Sequence, residues 1–160
     1  MPAPIVNASP LIFLSKGDHL DLLQTVGDSV IVPKTVADEI RRRGPDDVTA
    51  RALTETEWLK TVDVPDVPPA IQAWDLGPGE SAVLALAFAE SEREVIIDDL
   101  AGRRCAASLD IPVRGTLGVV LLAKKQGRIE NARPVVDQLR QAGMYLSDEV
   151  VDDALALVDE

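Results

Sequence analysis

Short apolar runs alternate along the chain with longer segments whose apolar residues recur at helical spacing. Residues 4–7 (Pro-Ile-Val-Asn), 29–32 (Ser-Val-Ile-Val) and 94–97 (Glu-Val-Ile-Ile) read as buried strands, being brief, β-branched and bounded by turn formers. Residues 59–64 alternate apolar with polar, as an edge strand does, and 111–113 add a further short strand. Between them the spacing predicts helices. The first starts at Ser9-Pro10, with proline at the first helical position, and breaks at Gly17-Asp18, and a second begins at Leu20. Others span 35–43, about 50–57, 80–91, 100–109, 117–126, 134–141 and 148–157. The segment 80–91 is apolar on nearly every face, so it must be buried on several sides. Residues 64–69 form a proline-rich connection too short to separate two domains.

Strands separated by helices imply right-handed crossovers and a parallel sheet covered on both faces. The expected fold is therefore α/β, with residues 1–160 forming one domain, long enough to bury a core without disulfides. Internal repeats and low-complexity tracts do not occur. No apolar run reaches the ~20 residues that cross a bilayer. The opening Met1-Pro2-Ala3-Pro4 has neither the basic start nor the apolar centre of a signal peptide. With a single cysteine, Cys105, placed as a small core residue in a helix, the expectation is a cytoplasmic protein.

Charge narrows the chemistry. With 16 Lys and Arg against 27 Asp and Glu, the net charge is −11, which opposes tight non-specific binding of nucleic acid. Aromatics make up 3% of the residues, too few for an extended base-stacking platform. An acidic chain still processes nucleic acid where divalent ions screen the site and local arginines hold the strand. Arg41-Arg42-Arg43, Arg103-Arg104, Arg114 and Lys124-Lys125 are the candidates, although each suits a solvated helix face as well.

In a parallel sheet, ligands gather beyond the carboxyl ends of the strands. The first strand ends at Asn7, with Ser9 just after it, and the strand at 94–97 ends in Asp98-Asp99. Two adjacent acids closing a buried strand must face water, a cation or a helix N-terminus, and N-capping of the next helix is a sufficient reason for them. Glu80 opens the buried helix after a Gly-Pro-Gly turn, where the helix dipole favours a carboxylate. On a helical wheel Val36 and Ile40 mark the apolar stripe; Glu39 falls at its edge and Asp38 opposite it, on the ordinary surface. Clustered carboxylates raise one another's pKa unless a cation neutralises them. Oxygen ligands of this kind suit Mg²⁺ or Mn²⁺, which activate water and stabilise charge in phosphodiester hydrolysis.

Other chemistries have little support. The lone histidine, His19, lies in a turn at the surface, so histidine-rich zinc sites and a Ser-His-Asp triad are not expected. Neither a Walker A motif nor a Gly-x-Gly-x-x-Gly fingerprint occurs. Thr116, in Gly115-Thr116-Leu117-Gly118, is either a helix cap or a phosphate contact at a helix N-terminus.

Taken in order, Val6-Asn7-Ala8-Ser9-Pro10-Leu11-Ile12, Val32-Pro33 with Val36-Ala37-Asp38-Glu39-Ile40, Gly79-Glu80, Ile97-Asp98-Asp99 with Gly102-Arg103, and Gly115-Thr116-Leu117-Gly118 resemble the PIN-domain family. The nearest branch is one related to VapC-type toxins. The resemblance implies a three-layer α/β/α sandwich around a central, mainly parallel sheet, frequent homodimers, and metal-dependent cleavage of RNA. It also implies a small antitoxin protein as partner. Carried over, Glu39, Glu80 and Asp99 are metal-site carboxylates, Asp98 is their neighbour, Ser9 is the hydroxyl after the first ligand, and Arg103 is a phosphate contact. Asn7 stands where a standard PIN nuclease has its first aspartate; an amide oxygen can ligate a cation but brings no charge. The expectation is thus a ribonuclease in which Asn7, Glu39, Glu80, Asp98 and Asp99 hold Mg²⁺ or Mn²⁺. The alternatives are a PIN-like binding module without catalysis, and a nuclease or phosphatase acting on DNA.

Overall fold

The structure is a computed structural model that describes residues 2–160. Five strands form one all-parallel sheet in the order β3-β2-β1-β4-β5. They are β1 (Ile5–Val6), β2 (Val30–Pro33), β3 (Leu59–Val62), β4 (Val95–Ile96) and β5 (Val113–Arg114). The central strands are buried on both faces, as covered parallel strands must be: Ile5, Val6, Val95 and Ile96 are all inaccessible to water. Register is fixed by pairing Ile5 with Ile31 on one side and with Val95 on the other. β3 lies at an edge, where Lys60 and Thr61 stay exposed.

Helices cover both faces, giving the three-layer α/β/α architecture. They are α1 (Ala8–Lys16), α2 (Lys34–Arg41), α3 (Val48–Glu55), α4 (Pro69–Gln72), α5 (Pro78–Ala89), α6 (Leu100–Ser108), α7 (Thr116–Lys125), α8 (Arg133–Gln141) and α9 (Asp148–Ala156). α5 packs on β1, β2 and β4 and touches α2, α4 and α6. Its buried residues run unbroken from Ala82 to Ala87, which is why its sequence shows no polar face. α1, α3, α7, α8 and α9 make a second group of contacts. Cys105 is fully buried, and burial pushes its thiol pKa up, so it serves as a core residue.

Besides shifts of one or two residues at the ends of other elements, three differences from the sequence reading have a structural character. The helix expected at Leu20 is a 3₁₀ turn, Leu20–Thr25. The proline-rich connection leads into the single turn α4, where Pro69 takes the first helical position. β5 begins two residues later than expected. Pro112 has no N–H to give the ladder, so only its carbonyl pairs, accepting from Val95 N–H at 2.9 Å.

Candidate functional site

From β1 the sheet grows to β2 and β3 on one side and to β4 and β5 on the other. The crevice beyond the carboxyl ends of β1 and β4 is thus the topological switch point, where open α/β sheets bind ligands. Asn7 follows β1 and donates its backbone N–H to Ile96 O at 3.0 Å; Asp98 and Asp99 follow the last β4 residues. Helices α2, α5, α6 and α7 all begin at this end of the sheet, each following a strand or a turn that leads back to it.

Asn7 is the N-cap of α1, yet its side chain makes no capping hydrogen bond. The residue is only 4% exposed, so a polar side chain has been buried without its usual employment. The amide faces Gly79 instead. A Cβ placed on Gly79 would lie 3.1 Å from Asn7 Oδ1 and 3.2 Å from Glu39 Oε2. An amide oxygen and a carboxylate oxygen therefore converge on the spot that a side chain at position 79 would fill. Glu39 reaches it from the edge of the α2 stripe, while Asp38, one residue earlier, turns away and pairs with Lys34 at 2.8 Å and Arg41 at 3.5 Å.

Glu80 sits at the third helical position of α5 and folds back along Gly77, its Oε2 2.6 Å from where a Cβ there would be. Its stem lies over Gly102, 3.6 Å from the corresponding point. Asp99 caps α6, accepting from Gly102 N–H at 3.1 Å with one oxygen. Gly102 thus stands between the two carboxylates, Glu80 on its side-chain face and Asp99 on its N–H. Asp98 is held differently. It accepts from Thr116 N–H and from Thr116 Oγ1, both at 2.7 Å. Thr116 is fully buried and spends both donors on this carboxylate, so what it does in the fold is orient Asp98 at the start of α7. Arg103 Nη1 and Asp98 Oδ1 flank Gly115, 2.9 and 3.2 Å from the point a Cβ would occupy, without forming an ion pair. Ser9, in the first turn of α1, is half-buried at the same strand end.

Asp38, Asp47, Glu90, Glu94, Asp148 and Glu160 each pair with a Lys or Arg; Glu39, Glu80, Asp98 and Asp99, like most of the remaining acids, pair with none, but these four share one strand-end crevice. Glu39 and Glu80 accept no protein hydrogen bond either, among the described residues. The oxygens are spread along the crevice in two clusters, Asn7 with Glu39 and Glu80 with Asp99. Among the described residues no three His, Cys, Asp or Glu side chains close around one point. The donor set still fits a hard divalent cation in chemistry. It is all oxygen, it lacks competing cations, and glycine at position 79 leaves the cradle open.

A cleft of about 510 Å³ continues from this crevice. Its lining includes Asp98, Arg103 and Gly115 together with Phe13, Leu121 and Tyr145. Tyr145 was not singled out by the sequence reading, although a lone tyrosine in a polar inter-helix segment was there to be seen. His19 lies elsewhere, hydrogen-bonded to Gln138 on the surface of α8.

An all-parallel α/β/α domain thus presents its acids at the switch point, where open sheets of this kind bind ligands. The chain belongs to the PIN-domain family, whose profile, described as PIN domain, matches residues 3–160, from β1 through α9. PIN domains are generally nucleases. Comparison with curated proteins and with solved structures returned no match.

Proposed function

We propose that the chain is a metal-dependent endoribonuclease of toxin–antitoxin type, acting in the cytoplasm on RNA. The observation that carries this reading is the gathering of Asn7 and four carboxylates, none of them ion-paired, at the switch point of the sheet. Asn7 Oδ1, Glu39, Glu80 and Asp99 are the ligands proposed for Mg²⁺ or Mn²⁺. Such an ion supplies Lewis acidity, lowering the pKa of water and offsetting charge on the phosphate. Glu39 and Glu80 each carry three side-chain torsions, so rotation alone can draw them onto one cation. Asp98, held in place through both oxygens by Thr116, is the carboxylate proposed to accept a proton from the attacking water through a remaining lone pair. Arg103, free of any ion pair, offers its guanidinium to a phosphate oxygen. The acidic crevice favours a small antitoxin that inserts a basic side chain, and a homodimer completes the expected partners.

The second reading, a binding module without catalysis, is favoured by Asn7, which subtracts one negative charge from the ligand set. Calorimetric titration with MnCl₂ alongside cleavage of a labelled RNA separates the two. The expected result is metal-dependent cleavage that Glu80→Gln lowers by at least about 100-fold, the scale of losing several kcal/mol of charge stabilisation. Asn7→Asp should tighten metal binding, since a carboxylate–cation pair near 4 Å gains Coulomb energy that an amide lacks, less the added repulsion. Metal binding and cutting by the Asn7→Asp variant only would leave the natural chain as the binding module. Equal behaviour of the two proteins would remove position 7 from the ligands.

A further inference from the structure

α8 ends in a motif that decides where the next side chains go. Gly143 takes φ +109°, its N–H bonds Arg140 O at 3.0 Å, and Met144 N–H bonds Leu139 O at 3.0 Å. That is a Schellman ending, and its hydrophobic residue, Met144, is turned into the core. Two residues on, the Arg140 guanidinium holds Leu146 O and also pairs with Asp148, while Ser147 caps α9. Tyr145 is thus clamped between a buried residue and a pinned carbonyl. Its ring is nevertheless 91% exposed. Aromatic side chains normally bury most of their area, and this chain has only five of them. A solvated ring carried on a fixed backbone beside a cleft is a stacking surface without an intramolecular partner.

The cleft beneath it is built for an amphipathic ligand. Its ~510 Å³ lies within the ~300–1,000 Å³ range of small-ligand sites. Phe13, Leu117 and Leu121 give it an apolar floor. The same lining includes Arg103, which has no ion-pair partner, and Asp98 of the proposed catalytic centre. An apolar lining with an exposed aromatic ring, an unpaired guanidinium, and a carboxylate of the acid crevice suit a nucleotide adjoining a scissile phosphate.

We infer that this cleft seats one unpaired nucleobase of the RNA, stacked on Tyr145, with the adjacent phosphate on Arg103; this deepens, and rests on, the nuclease reading. Tyr145 is the specificity-determining residue of this subsite, selecting an unpaired base, and Arg103 positions the phosphate. A base locked in a duplex is already stacked and paired, so it cannot enter.

Binding is measured apart from cleavage, by fluorescence anisotropy of a labelled single-stranded RNA of about ten nucleotides with the full chain in Ca²⁺ buffer. Tyr145→Ala should weaken binding about 5- to 150-fold, the range for losing one base–aromatic stack. Tyr145→Phe should restore it, because the ring is kept. The same loss should vanish for duplex RNA and for a strand whose bases are replaced by abasic sites. Arg103→Gln should reduce the slope of log affinity against log salt by about 0.7, the signature of one single-strand phosphate contact. Equal binding by wild type and Tyr145→Ala overturns the inference, as does an equal loss on duplex RNA. Absence of any RNA binding overturns it too, and would leave the cleft as a protein-docking face. Cutting separates this outcome from the broader one. Tyr145-dependent binding without cleavage in Mg²⁺ or Mn²⁺ keeps the subsite and sinks the nuclease reading. Cleavage with kcat and KM unchanged in Tyr145→Ala keeps the nuclease and sinks the subsite.

Discussion

An asparagine at a helix N-cap ordinarily stabilises its helix by ~1 kcal/mol through a side-chain bond to the first turn. Asn7 occupies that position in α1 and makes no such bond. The missing cap is intelligible if the amide serves the crevice, and Gly79 is what gives it room. Alanine at 79 would gain up to ~1 kcal/mol in helix propensity. Its methyl would also stand 3.1 Å from Asn7 Oδ1 and 3.2 Å from Glu39 Oε2, where both side chains must shift. Gly79→Ala should therefore change the melting temperature little while weakening Mn²⁺ binding at least about 10-fold, as read by calorimetry. Undiminished metal affinity in a folded variant would show that the gap beside Gly79 is not part of the cation site. At this scale the sequence announces the acids but not their state. Asp98 and Asp99 look equivalent along the chain, yet one caps α6 and the other is gripped by Thr116. Only a tertiary contact across 18 residues distinguishes them.

Among the elements, what was legible depended on whether the signal was local. α5 could be read from its unbroken apolar composition, whereas α3, expected at about 50–57, spans Val48–Glu55 because Asp47 caps it. The cap of α8 could not be read. Ala132 has no capping side chain, and the first N–H groups are taken by Glu160, reaching back from beyond α9 to Ala132 at 2.6 Å and Arg133 at 3.0 Å. α3, by contrast, is capped locally by Asp47, which accepts from Thr49 and Ala50 N–H at 3.1 Å and pairs with Arg43 at 3.1 Å. Burial pushes the Asp47 carboxyl pKa up, but the Ala50 and Thr49 N–H groups and the Arg43 guanidinium outweigh it and hold the pKa below the usual carboxylate range. A carboxyl depressed in the folded state stabilises the fold at pH values above its unfolded pKa and loses that contribution as pH falls through the folded one. Asp47→Ala should cost about 1 kcal/mol at pH 7, within the ~0.5–2 kcal/mol range of lost caps. The gap between wild type and variant in urea unfolding should narrow as the medium is taken into the acid range where Asp47 protonates. A gap that stays constant down to that range would mean Asp47 acts through packing rather than charge.

Across the whole molecule the sheet order does most to make the site. Residues 7, 39, 80 and 99 are scattered through more than half the chain, and alternation of strands and helices predicts a parallel sheet without giving the strand order. The order β3-β2-β1-β4-β5 is what sets Asn7 beside Asp98 and Asp99. The same scale bears on the proposed homodimer. The accessible surface is 8294 Å², against roughly 7,800 Å² expected for a compact monomer of this mass. The chain therefore closes its own core. Its large exposed apolar side chains, Val48, Trp74, Phe88, Leu100, Tyr145, Val150 and Leu157, are spread over α3, the turn after α4, α5, α6, the α8–α9 connection and α9, an ordinary surface but for the pair Tyr145 and Val150 at the cleft. A chain of this kind has no need of a partner in order to fold, so a homodimer should be of standard interface size, burying ~1,200–2,000 Å², and should dissociate on dilution. Sedimentation velocity should show mass rising from 17.2 kDa toward twice that value as concentration reaches tens of micromolar, with far-UV circular dichroism unchanged across the transition. A species of 17.2 kDa throughout would remove the dimer from the reading and leave the crevice chemistry intact. Loss of secondary structure on dilution would instead show that the apparent self-sufficiency of the core is misleading and that the second copy is part of the fold.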